Sequence, residues 1–157
     1  FNLVTVHRAE NTDDELKIKS ILRAINKIGE NSRMIFPLHP RTKKVIKSLG
    51  MDMSNIELIA PLGYLEMLWM IANCEKVLTD SGGLQKEAFF FSKPCITLRE
   101  ETEWTELVEH NFNILVGSNE RIILSAFNDH IFNKDYNIDL YGNDQISKNI
   151  ISIIKEY

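Results

Sequence analysis

The sequence predicts a doubly wound α/β domain, a Rossmann-like parallel sheet covered on both faces. Two observations carry that expectation. Six short apolar runs alternate with helical patterns along the whole chain, and those runs are apolar throughout instead of at every second residue. A strand buried on both faces has that character, and such strands belong to parallel sheets flanked by helices. There is no internal repeat, low-complexity tract or linker to divide the 157 residues, so one domain is expected.

Taken in order, Asn2 to Val6 reads as the first strand. A helix follows, with Ile18, Ile21, Leu22, Ile25 and Ile28 on one face, opened by a Thr12-x-x-Glu15 capping box and closed by Gly29. Met34 to Leu38 is the second strand, Arg41 to Leu49 a helix and Ile56 to Ala60 the third strand. Leu65, Leu68, Trp69 and Ala72 mark the next helix, and Val77 to Thr79 the fourth strand. Gly83 to Phe91 is helical, Cys95 to Leu98 a strand, Glu103 to His110 a helix and Asn113 to Val116 the last strand. Helices over Arg121 to Phe132 and Asp144 to Lys155 flank Asn133 to Asn143, which is polar enough for an irregular surface segment.

Composition narrows the function. At 44% hydrophobic and 25% charged the chain can bury a core without disulfide or metal staples. A net charge of −4 argues against general nucleic-acid or membrane-surface binding, so any phosphate contact must be local. Cys74 and Cys95 have no metal-ligand spacing and read as reduced core residues, which points to the cytoplasm. No apolar run approaches the ~20 residues that span a bilayer. Phe1 runs straight into a strand, and the chain is expected to be a piece of a longer protein.

In an open parallel sheet, ligands bind beyond the carboxyl ends of the strands. The residues there are His7-Arg8, His39-Pro40-Arg41, Pro61-Leu62-Gly63, Asp80-Ser81-Gly82-Gly83, Arg99-Glu100 and Gly117-Ser118. Ser81 to Gly83 stands where a strand ends and a helix begins, so the first helical N–H groups lack internal partners and carry the positive end of the helix dipole. Phosphate satisfies both needs. Gly82 and Gly83 would let phosphate oxygens approach without a Cβ in the way, and Ser81 can add a hydroxyl. Glu87 lies four residues beyond Gly83, roughly 6 Å along the axis, within reach of a ribose whose diphosphate rests on the helix start. A capped turn with a solvated Glu87 is the structural alternative; the cluster of strand-end residues favours a nucleoside diphosphate.

These strings resemble the carboxyl-terminal half of the non-hydrolysing UDP-N-acetylglucosamine 2-epimerase family. The similar segments are Val4 to Asn11, Pro37 to Pro40, Leu78 to Ala88, Lys93-Pro94, Leu98 to Glu103 and Leu115 to Gly117, in the family's order, and the likeness continues to Tyr141-Gly142. The resemblance implies the second domain of a GT-B type two-domain enzyme, with residues 1–157 forming the UDP-binding domain and the amino-terminal catalytic domain lying outside this chain. It implies that Ser81, Gly82 and Gly83 hold the UDP diphosphate, that Glu87 holds the ribose, and that His7 faces the diphosphate as the catalytic residue of this half. Arg8 stands beside it, and Arg99 opens the Arg-x-x-Thr-Glu segment, both as substrate-binding groups. His39 and Glu103 are secondary candidates, His39 near the region where some members bind a regulatory UDP-sugar. No metal and no cofactor are implied, and the full-length protein is expected to be a homodimer.

Departures from the family pattern bear on the sugar. Many members continue the segment as Thr-Glu-Arg-Pro-Glu, whereas this chain has Thr102-Glu103-Trp104-Thr105-Glu106, similar to a subgroup acting on other UDP-sugars, including diacetamido-uronic acids. Met67 stands where some members place a phenylalanine near the uracil, leaving stacking weaker or to Tyr64. His39-Pro40-Arg41-Thr42 differs from the form found in regulated members, so a regulatory site is not assumed. The implied chemistry is inversion at C2 of a UDP-2-acetamido sugar through UDP elimination and return. A GT-B glycosyltransferase donor domain and a non-catalytic nucleotide-binding module are the alternatives.

Overall fold

The computed structural model describes residues 1–142 and 145–156. β1 (Asn2–Thr5), β2 (Met34–Pro37), β3 (Glu57–Ile59), β4 (Val77–Thr79), β5 (Cys95–Thr97) and β6 (Asn113–Leu115) form one sheet in the order β3-β2-β1-β4-β5-β6. Every neighbouring pair is parallel. The expected six strands are all present, and no strand end differs from expectation by more than one residue. The chain winds outward from β1 to β3, then returns to place β4 beside β1. That reversal opens a crevice between the carboxyl ends of β1 and β4.

Strand register divides the core in two. Leu3 pairs with Val77 and Val4 with Leu78, so alternate side chains leave the sheet on opposite faces. Val4, Phe36, Leu78 and Ile96 pack under α2 (Glu15–Gly29) and α7 (Glu120–Asp129), through Ile18, Leu22, Ile25, Ile123 and Phe127. Leu3, Ile35, Val77 and Cys95 face α4 (Tyr64–Asn73) and α5 (Gly82–Phe90), through Met70, Ile71 and Ala88. Cys74 and Cys95 are both buried and unbridged. α3 (Pro40–Leu49) is tied to the end of the first strand by the Thr42 hydroxyl, which donates to the Val6 carbonyl. No helix among the described residues is long and apolar enough to cross a membrane.

Helix ends depart from expectation for local reasons. Thr12 does not cap α2: it closes a one-turn helix, α1 (Ala9–Thr12), and its hydroxyl donates to the Arg8 carbonyl. Asp14 is the cap, its carboxylate accepting from the N–H groups of Leu16 and Lys17. Gly29 is the last helical residue, not a left-handed stop; it is small because a Cβ there would run into the Asn55 carbonyl and the Ile56 side chain. α4 buries Met70 and Ile71, while Leu65 and Trp69, which marked the helix by their spacing, are 78% and 62% exposed. α6 (Thr105–Glu109) begins two residues later than expected, because the Thr102 hydroxyl accepts from the Trp104 N–H and holds the chain in a turn. α7 stops at Asp129, where His130 turns extended. In α8 (Ile146–Glu156) Ile150 and Ile154 are exposed. Asn143 and Asp144, which the expected irregular segment and last helix included, lie outside the described residues.

The segment after α7 is irregular, as expected, but it is not all surface. Tyr136, Leu140 and Tyr141 pack on Phe89, Phe112 and Trp104, with ring centroids of Phe89 and Tyr141 5.6 Å apart. The polar residues between them hid that contact in the sequence. At Gly29 two effects compete: alanine gains about 1 kcal/mol of helix propensity over glycine, but the Cβ meets backbone. The clash wins, so Gly29→Ala is expected to lower stability by about 1–3 kcal/mol, read from the midpoint of urea unfolding.

Candidate functional site

The polar residues at the carboxyl edge are organised around one buried carboxylate. Asp80 follows β4 and is fully buried. It accepts hydrogen bonds from the backbone N–H of His7 at 3.0 and 3.1 Å, from that of Arg8 at 3.0 Å, and from the Asn11 amide at 3.1 Å. Asn11 also donates to the Leu98 carbonyl at 3.0 Å, linking the end of β5. The His7 Nδ1 stands 3.6 Å from the same carboxylate, which orients a half-exposed ring. Below this layer the Thr5 and Thr79 hydroxyls share a 2.6 Å hydrogen bond, and Thr79 accepts from the Ser81 N–H.

One residue beyond Asp80, α5 opens. Ser81 sits at its cap position in extended backbone, yet its side chain makes no capping hydrogen bond. Nothing among the described residues pairs with the first-turn N–H groups of Gly82, Gly83 and Leu84. Neither glycine has a positive φ, so the backbone does not demand glycine here. What Gly83 supplies is space, since a Cβ there would meet only the Ser81 hydroxyl, 4.0 Å away, whereas a Cβ on Gly82 would come within 3.2 Å of the Glu103 carboxylate. Partnerless amides, a free hydroxyl and open room at the positive end of a nine-residue helix make an anion cradle.

A second layer braces the cradle. The Thr102 hydroxyl donates to the Gln85 amide oxygen at 2.6 Å, which also accepts from Asn113 at 2.9 Å. The Trp104 indole donates to the Gly82 carbonyl at 2.8 Å. Between these two anchors the Glu103 carboxylate bridges Arg99 Nη1 at 2.7 Å and Arg8 Nη2 at 3.3 Å. A hydrogen bond from its own backbone N–H, and then Arg99, hold the Glu103 carboxyl below the usual carboxylate range. The His39 ring lies 5.5 Å from that of His7, and His39 Nδ1 accepts from the Arg41 N–H as the cap of α3.

Two cavities flank the Asp80 layer. One, of about 180 Å³, is lined by His7, His39, Pro61, Leu62, Met67 and Leu84 and is mainly apolar. Met67 lines it, whereas Tyr64 does not and is 67% exposed. The other, of about 250 Å³, has Asn11, Lys17, Arg99, Glu100 and Ser118 on its walls. Glu87 stands one turn into α5, its carboxylate without a hydrogen-bond or ion-pair partner among the described residues, and burial raises its pKa.

The structure thus brings His7, Arg8, Ser81, Gly82, Gly83, Arg99 and Glu103 together at the switch point, with His39 and Glu87 at its margins. Asp80, Asn11, Gln85 and Trp104 position the others; sequence reasoning gave Asn11 and Gln85 no role, named Asp80 only as a strand-end residue and Trp104 only as a departure from the family pattern. The available signal was polarity at strand ends: Asp80 interrupts an apolar run, and Asn11 closes the His-Arg-Ala-Glu-Asn string.

The fold and the strand-end site define a Rossmann-like doubly wound domain of the GT-B type. A family profile described as UDP-N-acetylglucosamine 2-epimerase matches residues 1–155. A Pseudomonas aeruginosa protein named UDP-2,3-diacetamido-2,3-dideoxy-D-glucuronate 2-epimerase is 48% identical over 153 residues, covering 96% of this chain and 43% of that protein. A crystal structure of Methanocaldococcus jannaschii UDP-GlcNAc 2-epimerase in complex with UDP-GlcNAc and UDP superposes with a TM-score of 0.82 at 38% identity, covering 100% of this chain and 45% of that one. The Neisseria meningitidis UDP-GlcNAc 2-epimerase bound to UDP-GlcNAc gives a TM-score of 0.80 at 32% identity, with 99% and 44% covered. The chain belongs to the UDP-N-acetylglucosamine 2-epimerase family, and it spans less than half the length of these relatives.

Glu87 gives a test of the site's electrostatics. A carboxyl whose pKa burial raises in the folded state favours folding when protonated, and that contribution is lost as the pH rises through the folded pKa. Glu87→Gln is therefore expected to be more stable than the wild type at neutral pH, with the difference vanishing below the ordinary glutamate range, as read from thermal unfolding across pH.

Proposed function

We propose that this chain is the UDP-binding half of a UDP-2-acetamido-sugar 2-epimerase. One observation carries the reading: the turn of Ser81, Gly82 and Gly83, with its unbonded first-turn amides, lies one helical turn from the unpaired Glu87 carboxylate. The cradle suits a diphosphate, and a carboxylate at that distance suits the two ribose hydroxyls. The mainly apolar cavity at Leu62, Met67 and Leu84 offers room for the uracil edge. The sugar then extends toward Arg99 and the cleft that a second domain closes.

In the proposed reaction the sugar loses its C2 proton and expels UDP to give a glycal; UDP returns as C2 is protonated on the opposite face. The bond that breaks is between the anomeric carbon and the diphosphate oxygen, so negative charge grows on the leaving UDP. The first-turn amides, the Ser81 hydroxyl and His7 are placed to stabilise that charge. Asp80 turns His7 Nδ1 inward, which leaves Nε2 as the nitrogen for the ligand. Arg8 and Arg99 add positive charge on the sugar side. The groups that move the C2 proton are assigned to the amino-terminal half of the full-length protein.

Similarity to the P. aeruginosa protein, together with the Thr102-Glu103-Trp104 variant, favours a second substrate reading, a diacetamido uronic acid in place of N-acetylglucosamine. The whole protein is proposed to act as a cytoplasmic homodimer that supplies sugar for cell-surface polysaccharide. Two unbridged cysteines accord with that compartment.

Gly83→Val tests the cradle. The fold has room for the side chain, but a branched Cβ takes the place of a phosphate oxygen, so UDP binding should weaken by about tenfold or more while thermal unfolding changes little. Unchanged affinity in calorimetry would remove the diphosphate from this turn. The division of labour is tested in deuterated water: the isolated chain should bind UDP yet add no deuterium at C2 of UDP-N-acetylglucosamine or of the diacetamido uronate. Restoring the amino-terminal half should restore exchange with one of the two. Proton-transfer groups typically contribute ~10²–10⁴-fold each, so exchange by this chain alone would place the base within it.

A further inference from the structure

We infer that Glu103 is the site's own anion, a specificity-determining carboxylate that fills the space between Arg8, Arg99 and the start of α5 until a diphosphate displaces it. The inference rests on the nucleotide reading above and adds an exchange step to it.

Four observations converge on this side chain. The Arg99 side chain is only 7% exposed, and its Nε has no hydrogen-bond partner. A guanidinium in so dry a setting needs an anion beside it at all times, and Glu103 at 2.7 Å supplies one. Arg8 approaches the same carboxylate from β1 at 3.3 Å. The two carboxylate oxygens lie 3.2 and 3.3 Å from where a Cβ on Gly82 would stand, so the carboxylate sits beside the first turn of α5, whose own amides it does not bond. One negative charge therefore serves two arginines and lies next to a helix N-terminus.

The side chain is also free to leave. It is 50% exposed, and the hydrogen bonds that pin its segment belong to its neighbours, Thr102 on Gln85 and Trp104 on Gly82. Rotation of Glu103 moves its carboxylate to solvent without moving the backbone. A diphosphate carries more charge than one carboxylate and can both replace it on the arginines and fill the amides beside it; a neutral nucleoside cannot. Glu103 thus sets the charge a ligand must bring, and it keeps Arg99 paired between turnovers.

Calorimetric titration of the wild-type chain and Glu103→Gln with UDP, inorganic pyrophosphate and uridine tests this. Glutamine keeps the shape and the half-exposed position, and thermal unfolding checks the fold. UDP and pyrophosphate are expected to bind about three- to tenfold tighter to Glu103→Gln, with uridine unchanged. Glu103→Asp, which keeps the charge but shortens its reach, should give a smaller gain. Equal or weaker binding of both anions by folded Glu103→Gln would overturn the inference and make Glu103 a positioning residue for the arginines. An equal gain for uridine would overturn it too, because the effect would then be independent of phosphate. Pyrophosphate tightened by the substitution, with UDP bound no better than pyrophosphate by either protein, would instead overturn the nucleotide reading and uphold the exchange.

Discussion

The architecture at the carboxyl edge depends on the Asp80 carboxylate. It is buried without a solvated face, and a buried carboxylate is tolerable only when its lone pairs are filled. Two backbone N–H groups from His7 and Arg8 and the Asn11 amide fill them. The same contacts fix the path of the chain as it leaves β1, and through Asn11 they reach β5. Polar groups that would be a cost in an apolar core become the means by which three parallel strands hold their loops at one height. His7 and Arg8 face the crevice because their backbone is held from below, and Asp80 and Glu103 then steady their side chains.

The strands were legible in the sequence and the site only partly so, for one physical reason. A strand buried on both faces must be apolar at every position, and that signature survives in one dimension; six runs yielded six strands. Helix ends depend on which of several short polar side chains reaches a backbone N–H. Thr12 and Asp14 are both good caps by residue type, and only the extra turn of α1 decides between them. The helix of α4 was legible but its inward face was not, because its residues are apolar nearly all round from Leu65 to Ile71 and periodicity does not choose Met70 and Ile71 over Leu65 and Trp69. Ser81, Gly82, Gly83 and Glu87 could be read because a strand end, a glycine pair and a carboxylate one turn later fall close together in sequence. The bonds of Trp104 to Gly82 and Thr102 to Gln85 join positions 22 and 17 residues apart, with nothing local to announce them.

The site divides its charge unevenly. In the proposed reading the base meets a mainly apolar wall, with Leu62, Met67 and Leu84 at the cavity, where recognition would rest on shape and desolvation. The phosphates would meet Arg8, Arg99, the start of α5 and their counter-ion, gathered at one strand edge. A net acidic chain can bind a polyanion on these terms because the positive potential is local and carried on rigid elements, much of it by backbone amides that add nothing to the formal charge.

The segment beyond α7 bears on where this domain ends as a physical unit. Asp129 closes the last helix that covers the sheet, and a boundary drawn from the sheet would fall there. Tyr136, Leu140 and Tyr141 nevertheless roof the aromatic cluster that contains Trp104, and Lys86 of α5 lies over the rings of both Trp104 and Tyr141 at 4.6 and 4.2 Å. Trp104 in turn holds the Gly82 carbonyl. A stretch with no regular structure therefore backs, through Trp104, the turn that opens α5, and the packed unit extends at least through Tyr141.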